Sequence, residues 1–155
     1  MPNLLIEDLK EENLRVIGLL YGLPGSGKTY LTATAPEPLW LITENDVTLA
    51  TLAQAKMDLG LKHIPYVTIT GKKQYGEVIE QLLGLVAKGT FPFKSLVLDG
   101  ITDWQRIITR DILLESPKYV ASRDKRNMEA LELGEWGWLK NVTMQALLEL
   151  RQFPC

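Results

Sequence analysis

The sequence predicts an α/β domain, a parallel sheet with helices on both faces. Three observations carry this. Short apolar runs alternate with stretches of helical periodicity, which makes each strand–helix–strand unit a right-handed crossover. The runs Val16-Ile17-Gly18-Leu19-Leu20-Tyr21, Leu39-Trp40-Leu41-Ile42-Thr43 and Leu96-Val97-Leu98 lack polar alternation, as strands buried on both faces do. The first run leads through Gly22-Leu23-Pro24-Gly25-Ser26-Gly27-Lys28-Thr29 into Tyr30-Leu31-Thr32-Ala33, so a glycine-rich loop sits between a strand and a helix.

The elements follow in order. Residues 1–13 are a polar, acidic lead-in, and 14–155 form the domain. The first strand is placed at 15–21 and the loop helix at 27–35, with Pro36 and Pro38 bracketing a turn. The second strand covers 39–43. Asp46 can cap a helix over 47–59 that stops at Gly60. Tyr66-Val67-Thr68-Ile69-Thr70 is rich in β-formers and reads as a strand nearer the sheet edge. Tyr75, Val78, Ile79, Leu82, Leu83 and Val86 make one apolar stripe of a helix ending at Gly89.

The third central strand is Leu96-Val97-Leu98, running into Asp99. Trp104, Ile107, Ile108, Ile112 and Leu113 mark another amphipathic helix, closed by Pro117. Residues 115–135 are polar and irregular. Trp136, Leu139, Thr143, Ala146, Leu147 and Leu150 define a last helix, with Trp136 and Trp138 expected in the core or against a neighbour. That helix calls for a further strand, and the chain stops at Phe153-Pro154-Cys155. The sheet therefore reads as truncated before its last core strands, or the protein as unusually short.

Composition narrows the function. At 155 residues and 46% hydrophobic, the chain is one domain with a sizeable core. Seventeen Lys and Arg against 19 Asp and Glu give a formal net charge of −2, so any nucleic-acid binding needs a local basic patch. Cys155 is the one cysteine and His63 the one histidine, which excludes a disulfide framework and a Cys/His metal cluster. Cys155 reads as a free end and His63 as a surface residue. No apolar run approaches the ~20 residues of a membrane span, and the N-terminus lacks a signal-peptide pattern. The expected location is cytoplasmic.

The chemistry centres on residues 22–29, which fit Gly, four residues, then Gly-Lys-Thr. Glycines let successive N–H groups turn inward on a phosphate. Lys28 would reach the β- and γ-phosphates, the Thr29 hydroxyl would ligate Mg²⁺, and the helix beginning there, through Tyr30, adds its positive dipole end. The nucleotide contacts are thus expected from Gly22, Leu23, Pro24, Gly25, Ser26, Gly27, Lys28, Thr29 and Tyr30.

Asp99 closes an apolar strand, where a carboxylate can hold Mg²⁺, often through water. The other reading is a turn-forming Asp at a strand end. Glu44 closes the second strand at the rim where ligands of open parallel sheets sit, and can deprotonate an attacking water. Asp46 is the alternative base. Lys118-Tyr119-Val120-Ala121-Ser122-Arg123-Asp124-Lys125-Arg126 places four cations beside an aromatic ring in a loop. Lys118, Tyr119, Arg123, Lys125 and Arg126 suit single-stranded nucleic acid, or form an ordinary solvated loop.

With the loop at 22–29, Glu44 after one strand and Leu98-Asp99 ending another, the chain resembles RecA-like P-loop ATPases. It is most similar to small phage-borne members that act in recombination and single-strand annealing. The resemblance spans about 14–150 and implies ATP and Mg²⁺ as cofactors, Glu44 as base, Asp99 as the Mg²⁺ carboxylate and 117–135 as a DNA-facing loop. Gly100 stands where the family often has Ser. The chain lacks an arginine beside the loop in sequence, so an arginine from a neighbouring copy is expected, drawn from Arg106, Arg110, Arg123, Arg126 or Arg151. A small-molecule or nucleotide kinase and a non-catalytic, nucleotide-dependent assembly module are the competing readings. A GTPase is disfavoured because no Asn-Lys-x-Asp motif is present.

Overall fold

The computed structural model describes residues 17–43, 45–115 and 133–154. Its centre is β1 (Pro38–Ile42), buried at every position. Proline opens the strand, where its missing N–H is least costly. The strand pairs in parallel with β2 (Tyr66–Thr68) on one side and β3 (Ser95–Asp99) on the other, giving the order β2-β1-β3. Trp40 faces both Tyr66 and Val97, and Ile42 faces both Thr68 and Asp99.

Side chains alternate across a strand, so β1 divides the core in two. Leu39 and Leu41 join Ile69, Tyr75, Ile79, Leu82, Trp104 and Ile108 on one face. Trp40 and Ile42 join Ala33, Leu52 and Ala55 on the other. The second face is covered by α1 (Lys28–Thr32) and α2 (Asn45–Asp58). The first is covered by α3 (Lys72–Ala87) and α4 (Ile101–Glu115), and α5 (Leu133–Leu150) adds Leu139 and Ala146 to the same core. The chain crosses from β1 to β2 through α2, then back over β1 to β3 through α3. Crossovers of one hand that reverse direction put their helices on opposite faces, as found here.

The helix stops fall where the sequence placed them. Beyond α2, Leu61 N–H reaches back to the Lys56 carbonyl (3.0 Å) with Gly60 at the turn. Beyond α3, Thr90 N–H does the same to Leu85 (2.9 Å) around Gly89. Both are the closing pattern that satisfies a helix's last carbonyls. On α5, Ala146 accepts a 2.9 Å hydrogen bond from the buried Tyr75 hydroxyl of α3. Burial, and secondarily the Glu149 carboxylate, push the Tyr75 phenol above its usual range.

One expectation is corrected and another narrowed. Within the strand predicted at 15–21, residues 17–21 lie outside the sheet and largely in solvent, with Ile17 68% and Tyr21 96% exposed. An apolar run becomes a strand only when a neighbour takes up its N–H and C=O groups. Among the described residues β3 has β1 on one side and no strand on the other. Gly18 further weakens the run's intrinsic preference. Of the two places expected for Trp136 and Trp138, the core is excluded: both are exposed, because the buried side of α5 is set by Leu139, Thr143 and Ala146. The Lys72 ammonium lies 5.0 Å from the Trp138 ring centre.

Candidate functional site

The glycine-rich loop is built by its backbone. Ser26 N–H closes a turn on the Leu23 carbonyl (3.2 Å). Gly25 and Gly27 sit at φ 76° and 81°, in the left-handed region that side chains disfavour. Gly27 then caps α1 without help from any side chain. Gly22 is demanded by space instead: a Cβ there would lie 2.9 Å from Ser26 Oγ.

Lys28 begins α1 and folds back over the loop. Its Nζ donates to the carbonyls of Gly22 and Leu23, both at 2.8 Å, and lies 3.5 Å from Ser26 Oγ. The ammonium is thus held at the mouth of the turn. Leu23, Pro24, Gly25, Ser26 and Gly27 are exposed around it. Tyr30 is half-buried and packs against the core on the α2 side.

The Thr29 hydroxyl donates to Asp99 Oδ2 at 3.2 Å, joining residues 70 apart in the chain. Asp99 is brought there by register, since it pairs with Ile42 at the carboxyl end of β1. Thr43 fastens the same rim: its hydroxyl donates to the carbonyls of Asp99 (2.9 Å) and Gly100 (2.6 Å). Thr48, on the first turns of α2, donates to Asp99 Oδ2 at 2.9 Å and is 4% exposed. Thr43 and Thr48 were not anticipated. Thr48 had a faint signal, being a polar residue in helical phase with the buried Leu52 and Ala55.

The remaining candidates divide. Glu44 and the loop Lys118, Tyr119, Arg123, Lys125 and Arg126 lie outside the described residues, as does the side chain of Asp46. Arg106 pairs with Asp103 on the surface (2.8 Å), and Arg110 donates to the Thr70 carbonyl (2.7 Å). Among the described residues no group of three or more His, Cys, Asp or Glu could cage a metal. One carboxylate with one hydroxyl suits Mg²⁺, which keeps waters and shares phosphate oxygens rather than being enclosed by protein. Among the described residues no helix is long and apolar enough to cross a membrane.

No curated protein and no solved structure matches the chain. A family model described as AAA domain matches residues 14–155. Its span takes in the loop, all three strands and the Asp99 rim. The chain therefore belongs to the AAA-domain family of nucleotide-binding, P-loop ATPase-type proteins.

Proposed function

We propose that the protein binds ATP with Mg²⁺ and hydrolyses it, and that it works on single-stranded DNA, in recombination or strand handling, as a homo-oligomer. The observation that carries the nucleotide part is the approach of Thr29 Oγ1 to Asp99 Oδ2 beside the Lys28 loop. A hydroxyl whose proton is given to Asp99 keeps its lone pairs for a cation. A phosphate entering the loop competes with the Gly22 and Leu23 carbonyls for the Lys28 ammonium, and a charge-assisted bond is the stronger one. When bound, Mg²⁺ neutralises charge on the phosphate oxygens. Glu44, next in sequence after the Thr43 that fastens the rim, is the base assigned to the attacking water.

The DNA part rests on the family resemblance and on the four cations between Lys118 and Arg126. The oligomer rests on the need for an arginine at the γ-phosphate. Arg106 and Arg110 are both engaged elsewhere on their own chain.

The deciding experiment is calorimetric titration of ATP–Mg²⁺ into the protein and into Lys28→Ala. Loss of a charged phosphate contact, about 1.5–3 kcal/mol, should weaken affinity at least tenfold. Equal affinity in the two proteins rejects the nucleotide reading. Phosphate release with and without single-stranded DNA then tests the substrate, and small phosphoacceptors offered in parallel test for a kinase.

A further inference from the structure

Asp99 Oδ2 receives two hydroxyl protons, from Thr29 at 3.2 Å and from Thr48 at 2.9 Å. The two donors come from different helices. Thr29 belongs to the loop helix. Thr48 belongs to α2, 51 residues from Asp99 in the chain, in a helix that contains no phosphate-loop residue. Thr48 is also one of two buried polar residues in the described core, the other being Thr143. A buried hydroxyl on a helix is neutral to unfavourable unless its proton has a destination. Here the destination is a carboxylate, which makes the bond charge-assisted.

We propose that Thr48 is a positioning residue for the Asp99 carboxylate, fixing its rotation so that Oδ1 faces outward toward the cation and its waters. The role rests on the nucleotide–Mg²⁺ reading above. Thr29 alone cannot fix the carboxylate, because its oxygen must also serve the cation and its helix is tied to a loop that responds to phosphate. Thr48 makes no claim on ligand. It donates to the same oxygen from a separate helix, one anchored through Leu52 and Ala55 against Trp40 and Ile42. Both protein donors meet on Oδ2, so each carboxylate oxygen has one task. The Thr43 hydroxyl does the equivalent for the backbone, holding the Asp99 and Gly100 carbonyls.

The test compares the full chain with Thr48→Val, which keeps shape and loses the hydroxyl, and Thr48→Ser, which keeps the hydroxyl. ATP affinity is titrated in Mg²⁺ and in EDTA, and the ratio is the Mg²⁺-dependent gain. Thr48→Val should lower that gain about tenfold, the scale of a hydrogen bond to a charged group. Its affinity in EDTA should stay within about twofold, and Thr48→Ser should recover most of the gain. Thr48→Ala is run alongside and must show the same loss, so the comparison survives if the valine variant misfolds. An undiminished gain in the hydroxyl-free variants overturns the proposal, as does an equal fall in Mg²⁺ and EDTA, which marks a purely structural threonine. A wild-type protein with no Mg²⁺-dependent gain rejects the underlying nucleotide reading instead.

Discussion

Lys28 and Thr29 owe their positions to a local rule, a fixed spacing after a tight glycine turn, and such rules are legible in sequence. Asp99 was legible because it ends an apolar strand. Thr48 was not, since its partner lies 51 residues away and only the fold joins them. At Tyr30, spacing from the loop places the backbone, while its ring packs on the core under α2. The φ of Gly22 lies outside the left-handed region, so the constraint there is room, not backbone strain. Gly22→Ala should weaken ATP binding several-fold while leaving the melting temperature nearly unchanged. Adding Ser26→Ala removes the Oγ that the new methyl meets and should restore most of the affinity; calorimetry on the single and double variants checks both. Glu44→Gln should keep ATP affinity and lower phosphate release by ~10²–10⁴, the range of general-base catalysis. Normal turnover in that variant moves the role to another group.

Elements were read well where one periodicity governed a long stretch. The stripe from Tyr75 to Val86 lies in α3, which packs Tyr75, Ile79 and Leu82 into the core, and the continuous run at 39–43 became the fully buried β1. The run before the loop failed because strandhood is decided by a neighbour, which hydrophobicity alone does not supply. α5 shows the converse case, in which a polar tie seats a helix. Tyr75→Phe removes the hydroxyl bonded to Ala146 and should cost about 1–2 kcal/mol of stability in urea titration. Burial, with the Glu149 carboxylate, raises the Tyr75 pKa. The folded state holds this proton more tightly than the unfolded chain, whose phenol titrates near 10. The contribution is therefore complete below pH 10 and is lost as pH rises above it. Wild-type stability should fall more steeply than that of Tyr75→Phe above pH 10; parallel slopes would assign the alkaline loss to other groups.

At the scale of the whole molecule, the alternation of strands and helices was enough to predict a parallel sheet covered on both faces. The strand order was open until register fixed it. Putting β1 in the middle sets the ends of β1 and β3 side by side and so assembles Thr43, Asp99 and the loop on one rim. The charge of the whole, −2, gives no general attraction to nucleic acid. The single-strand binding proposed above therefore rests on the cations between Lys118 and Arg126, and salt dependence tests it. Replacing Arg123, Lys125 and Arg126 together with Ala should flatten the log–log salt dependence of single-strand binding by about two units, at about 0.7 per phosphate contact. An unchanged slope in the ATP-bound protein removes the loop from the interface.

The position of β1 also has a kinetic consequence. Trp40 must find Tyr66 and, later in the chain, Val97, so the sheet is built from contacts distant in sequence. Such topologies fold slowly, because loop closure is opposed by chain entropy before any pairing rewards it. The Thr29–Asp99 meeting depends on the most distant of these pairings. Partly folded chains therefore have no complete phosphate rim, and ATP should select only the native state. At a hundred times its dissociation constant, ATP should then raise the unfolding free energy by about 2.7 kcal/mol, the full value for a ligand that ignores every other conformation. In refolding experiments it should leave the folding rate unchanged and slow unfolding alone.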